Sequence, residues 1–228
     1  MAGRPRGTSP RPPSRARASS AAPPTSEGAS TLVPVSTDAP ATPPRTTYVL
    51  VDGENIDATL GGSILGARPS PEQRPRWERV LDFGKQAWGA EQVKGLFFLN
   101  ASNGTMPMGF IQALLAIGFQ PIPLAGESYE KVVDIGIQRT LDALVDRPGD
   151  VLLASHDGDF APQLAHLLGP GRNVGLLAFK EFTSGQLQHL TEGGLEIFDL
   201  ETEVKAFNVQ LPRLRIISLE EFDPLRYL

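Results

Sequence analysis

Hydrophobic residues in this chain fall into short runs, separated by polar turns and by stretches with helical spacing. Tyr48–Val51 reads as a buried strand that runs into Asp52-Gly53-Glu54-Asn55, a turn. Pro71–Trp88 reads as a helix with a partial apolar stripe at Trp77, Val80, Leu81 and Trp88. Val93–Leu99 is a second strand, and Met108–Ile117 a helix stopped by Gly118. Phe119–Leu124 is a third strand; its two prolines place it near a sheet edge. Val132–Val145 puts Val133, Ile137, Leu141 and Leu144 on one helical face. Strands then follow at Val151–Ala154, Val174–Phe179 and Leu195–Phe198, with helices at Phe160–Leu168 and Ser184–Leu190 between them.

Strands alternating with helices predict an α/β domain with a mostly parallel central sheet. Such sheets take ligands in the crevice beyond the carboxyl ends of their strands. Residues 201–228 are less regular and read as a C-terminal extension, with Leu214–Leu219 an added strand or a segment that docks on a partner. Residues 1–46 hold ten prolines and almost no large apolar side chains, which predicts a disordered Pro/Arg/Ser-rich arm. Its Arg/Ser/Ala bias is shared by organelle transit peptides, but no amphipathic helix emerges among the prolines. The structured domain is therefore expected over residues 47–200.

Composition narrows the chemistry. The chain has no cysteine, which excludes disulfides, thiol catalysis and zinc-thiolate sites. With three histidines, a metal site must rest on oxygen ligands, and these select magnesium or manganese. No apolar run approaches the roughly 20 residues that cross a bilayer, so a cytoplasmic protein without membrane contact is expected. Net charge is −5 overall, divided into +4 over residues 1–46 and −9 over the remainder. A basic arm suits a polyanionic partner, while an acidic body argues against broad duplex binding, which needs many phosphate contacts.

The acids themselves stand where an α/β site would use them. Asp52 follows one strand, Asp157 and Asp159 follow another, and Asp134 opens a helix just after Lys131. If the first and fourth strands are neighbours, these carboxylates converge. Converging carboxylates repel and need a counter-charge, which a divalent cation supplies. Asn55 could hold a carboxylate or a water, and Ser155 could orient an attacking water or a neighbouring aspartate. Each acid also has a plainer reading. Asp-Gly is a common turn dipeptide, Asp159 could cap a helix, and Asp134 could favour a helix dipole.

Three elements resemble the NYN domain, a PIN-like ribonuclease fold. Val49-Leu50-Val51-Asp52-Gly53-Glu54-Asn55 is similar to its opening strand, Glu130-Lys131-Val132-Val133-Asp134 to its Lys-x-x-Asp element, and Ser155-His156-Asp157-Gly158-Asp159-Phe160 to its Ser-Gly-Asp-x-Asp-Phe signature. The resemblance implies a three-layer PIN-like domain and magnesium- or manganese-dependent cleavage of RNA, expected to be single-stranded. It implies that Asp52, Asp134, Asp157 and Asp159 are metal ligands and catalytic residues, with Asn55 in support. Lys131, Ser155 and His156 are the candidate substrate contacts. His156 departs from the family's usual glycine and is expected at the rim, touching phosphate or standing clear of the chemistry. His166, His189, Trp77 and Trp88 are expected to be structural.

Three other readings compete. A phosphatase with Asp52 as nucleophile would reuse the late aspartate pair. A nucleotide triphosphatase lacks its Gly-x-x-x-x-Gly-Lys-Ser/Thr loop. A binding module would keep the fold and hold RNA or protein without cutting, and a protein partner or a homo-oligomer fits an acidic body that needs its substrate delivered.

Overall fold

In the computed structural model, the described residues are 45–127, 129–212, 219–220, 222–226 and 228. Most of the expected arm, over residues 1–44, lies outside them, as does nearly all of Leu214–Leu219.

Six strands form one sheet: β1 (Thr46–Asp52), β2 (Gln92–Asn100), β3 (Phe119–Leu124), β4 (Asp150–Ala154), β5 (Val174–Ala178) and β6 (Glu196–Asp199). Their order is β3-β2-β1-β4-β5-β6 and every pairing is parallel, so the sheet is stricter than the mostly parallel one expected. β1 pairs with both β2 and β4, and chain direction across the sheet reverses between β1 and β4. Ligand crevices open at such a reversal, beyond the carboxyl ends of the two strands.

The central strands β1, β4 and β5 are buried on both faces, as parallel strands covered on two sides must be. Val49, Val51, Phe97 and Leu152 face one core, roofed by α1 (Gly53–Ala58), α2 (Trp77–Gln86) and α3 (Met108–Ile117). Leu50, Phe98, Leu153 and Leu176 face the other, roofed by α4 (Val132–Leu144), α5 (Ala161–Leu167) and α6 (Gly185–His189). The result is three layers. The first core also takes Val204, Ala206 and Leu211, so packing continues past Leu200. No described helix is long and apolar enough to cross a membrane.

β3 lies at the sheet edge, as its prolines predict. Pro121 and Pro123 stand two apart, so their missing N–H groups share one side and the ladder to β2 is spared. Gly118 ends α3 with φ 97°, a left-handed conformation that glycine adopts without strain.

Two expectations are corrected. The helix expected over Pro71–Trp88 divides into a single 3-10 turn at Pro71–Gln73 and α2, because Pro75 forces Arg74 into an extended conformation. The turn expected after Asp52 is instead the start of α1, which runs on as a wider π-helical stretch over Thr59–Leu65. Ile56, Leu60 and Ile64 carried that helix at four-residue spacing and are all buried. Gly53, Gly61 and Gly62 hid the signal, since glycine is a poor helix former.

Of the other side chains expected to be structural, Trp77 is in the first core, and Trp88 packs against it and donates to Glu196 Oε1 at 2.8 Å. His166 and His189 lie on exposed helix faces.

Candidate metal centre

Asp52 closes β1 and caps α1, its Oδ1 accepting the Asn55 N–H at 3.2 Å. Beyond β4 the chain passes through Ser155 and His156 to Asp157, which caps a 3-10 turn over Gly158–Phe160 by accepting the Asp159 N–H at 2.9 Å. Asp134 stands in the first turn of α4. Cap and site are therefore compatible roles here, and the capping aspartate after β4 is Asp157 rather than Asp159.

Ser155 joins the two strand ends. Its hydroxyl donates to Asp52 Oδ2 at 3.0 Å and accepts the Asp157 N–H at 3.2 Å. It is fully buried between the two aspartates, an interior position for a residue expected among the substrate contacts. Gly158 lets the turn close against α6: a Cβ there would lie 2.8 Å from Ser184 Oγ.

His156 departs from its expected place. It is 6% exposed and turns inward rather than standing at the rim. Its backbone N–H donates to Asn55 Oδ1 at 2.8 Å, and its ring Nδ1 is 3.0 Å from the same oxygen and 3.3 Å from Thr59 Oγ1. Nε2 accepts the Phe179 N–H at 2.9 Å, so we assign the proton to Nδ1, donated to Asn55. The ring stacks on Phe179 with centroids 5.5 Å apart. Burial pushes its pKa down to about 4, and the imidazole is neutral at pH 7.

Three of the four aspartates come together. Asp134, Asp157 and Asp159 each bring a carboxylate oxygen within 4.8 Å of the others. Lys131 spans two of them, its Nζ 3.3 Å from Asp134 Oδ2 and 3.2 Å from Asp159 Oδ2. Hydrogen bonds to these two carboxylates raise the Lys131 pKa, led by that from Asp159. An ammonium bridging two acids shows that this cluster attracts positive charge. Its all-oxygen donors fit a hard divalent cation.

Asp52 is outside that group. It is 2% exposed, with one oxygen on the Asn55 N–H and the other on Ser155. Its pKa rises to about 6; burial is the main cause, the Asn55 and Ser155 bonds oppose it, and the charges of Asp134 and Asp157 add to it. It thus senses the cluster electrically from behind.

Sequence reasoning missed two supports. Gln138 Nε2 donates to the Asp159 carbonyl at 3.2 Å, tying the 3-10 turn to α4. Its position four residues after Asp134 places it on the same helical face, a signal that was available. Phe179, which receives His156, carried no signal.

The NYN domain family model matches residues 46–193. No curated protein gives a significant match. Among solved structures, the chain is similar to a protein of unknown function from Vibrio parahaemolyticus, at 17% identity and a TM-score of 0.49, over 68% of this chain and 94% of that one.

Proposed function

The chain belongs to the NYN domain family, within the PIN-like nuclease superfamily, and from that premise we propose that it is a metal-dependent ribonuclease acting on single-stranded RNA. The observation that carries the reading is the meeting of Asp134, Asp157 and Asp159 at the carboxyl edge of the sheet, with Lys131 as their present counter-charge.

In this reading Asp134, Asp157 and Asp159 hold magnesium or manganese. Bound there, the cation would polarise a phosphodiester and make nearby water more acidic. Asp52 adds negative charge from behind and, through Ser155, fixes the backbone of Asp157. Asn55 and His156 lock the loop after β4 to the start of α1, so the carboxylates are held before substrate arrives. Lys131, once a divalent cation neutralises the acids, is free to meet a phosphate. The acidic body favours single strands delivered locally over extended duplex.

The phosphatase reading fits less well. A nucleophilic aspartate must reach phosphorus, and Asp52 is 2% exposed with both oxygens engaged.

The test is cleavage of single-stranded RNA in manganese or magnesium, abolished by EDTA and by Asp157→Asn. Equal degradation by the Asp157→Asn protein would point to a contaminant. Metal-dependent RNA binding without cleavage would replace the enzyme with a binding module.

A further inference from the structure

A second concavity opens at the same edge of the sheet. Gly53 and Glu54, the two residues directly after Asp52, form part of its wall, opposite the Pro71–Trp77 segment, the end of β2 and the start of α3. Its volume of about 580 Å³ falls within the roughly 300–1,000 Å³ typical of small-ligand pockets.

Its lining is aromatic at the base and charged with both signs around it. Phe97 stands at the centre, 5.0 Å from Trp77 and 5.3 Å from Phe110 by ring centroid, both edge-to-face. Two acids, Glu54 and Asp57, and two guanidinium groups, Arg74 and Arg76, also line it. Arg74 is already steadied by Asp57 at 2.8 Å.

We propose that this pocket is a nucleobase subsite, holding one base of the strand whose phosphate lies at the metal centre. The lining decides the class of ligand. With two acids and two guanidinium groups the lining is charge-balanced, so neither an anion nor a cation gains from it as a whole. An aliphatic chain would make no use of the charged groups beyond the Arg74–Asp57 pair. A neutral aromatic heterocycle suits this lining: its face meets Phe110 and the rings of Pro71 and Pro107 above the buried Phe97 and Trp77, its N–H edges meet a carboxylate, and its carbonyl and ring-nitrogen acceptors meet guanidinium. Position links it to a nucleotide, because the wall begins at the residue after Asp52. Gly53 keeps the base of the pocket in place, since a Cβ there would lie 2.6 Å from the Phe97 ring.

The proposal rests on the nuclease reading for the strand that carries the base, yet it can be tested apart from cleavage. The probes are AMP, UMP and ribose 5-phosphate, added without metal to the full chain. The readout is the Trp77 indole N–H in NMR spectra, distinguished from Trp88 by Trp88→Phe. Both nucleotides should shift the Trp77 signal and ribose 5-phosphate should not. Phe110→Ala should weaken the nucleotide effect at least severalfold. An abasic residue placed along a short RNA should weaken binding at one position in the wild type and at none in Phe110→Ala.

No Trp77 shift with either nucleotide, or an equal shift with ribose 5-phosphate, overturns the subsite. An intact nucleotide shift in a protein that does not cleave RNA keeps the subsite and sinks the nuclease reading. RNA cleavage without any nucleotide shift does the reverse.

Discussion

Asn55 and His156 are joined through one oxygen: Asn55 Oδ1 accepts the His156 backbone N–H at 2.8 Å and lies 3.0 Å from ring Nδ1. This pair fastens the start of α1 to the loop after β4, the two segments that carry Asp52 and Asp157. Asn55→Ala would leave both donors of a buried residue without that acceptor. We expect a loss of about 1–3 kcal/mol, the usual cost of stranding a buried donor. Urea denaturation measures it, and an unchanged midpoint would show that the loop is held elsewhere.

Asp52 and His156 titrate in opposite senses. The Asp52 pKa is raised from 3.8 to about 6, so the folded state binds this proton more tightly. Its stabilising effect is present below pH 4 and is lost as pH rises through 6. The His156 pKa is lowered from 6.5 to about 4, so stability is lost as pH falls between those values. Each shift corresponds to about 3 kcal/mol, and the two windows nearly coincide. Asp52→Asn removes the first effect and exposes the second. In metal-free buffer at pH 7 the variant should be more stable than the wild type by about 2–3 kcal/mol. Near pH 4.5 that advantage should largely vanish. Urea midpoints of both proteins at the two pH values decide it; a variant no more stable at pH 7 would mean that the buried charge costs nothing.

Lys131 competes with any divalent cation for Asp134 and Asp159. Lys131→Met should therefore tighten manganese binding severalfold, read by calorimetry or by the manganese EPR signal. Weaker binding in the variant would mean that the lysine orders the carboxylates instead.

Gly53→Ala places a methyl group against Phe97, beneath the junction of β1 and α1. Overpacking of this kind costs about 1–3 kcal/mol, and a thermal melt should show a drop of several degrees. An unchanged Tm would mean that the ring moves aside freely.

Much of the fold was legible because it depends on local patterns. The prolines of Phe119–Leu124 marked an edge strand, and Gly118 marked a helix end. The start of α1 was illegible for an equally local reason: Asp52-Gly53 is turn chemistry, and the glycines at 53, 61 and 62 outweighed the spacing of Ile56, Leu60 and Ile64. His156 was misplaced because burial is not a property of its neighbours in sequence. Its partners are Asn55 and Phe179, on two other segments of the chain.

The sequence by itself determined the six strands, the alternation with helices, and the standing of Asp52, Asp134, Asp157 and Asp159 at or just after strand ends or at a helix start. Those features follow from residue type and short-range period. Only the tertiary structure decided how the acids divide, because burial and separation arise from strand order. Placing β1 beside β4 brings Asp52 to Ser155 across 103 residues and seals it behind the surface. The same arrangement sets Asp134, Asp157 and Asp159 together at the edge, around the lysine that now neutralises two of them.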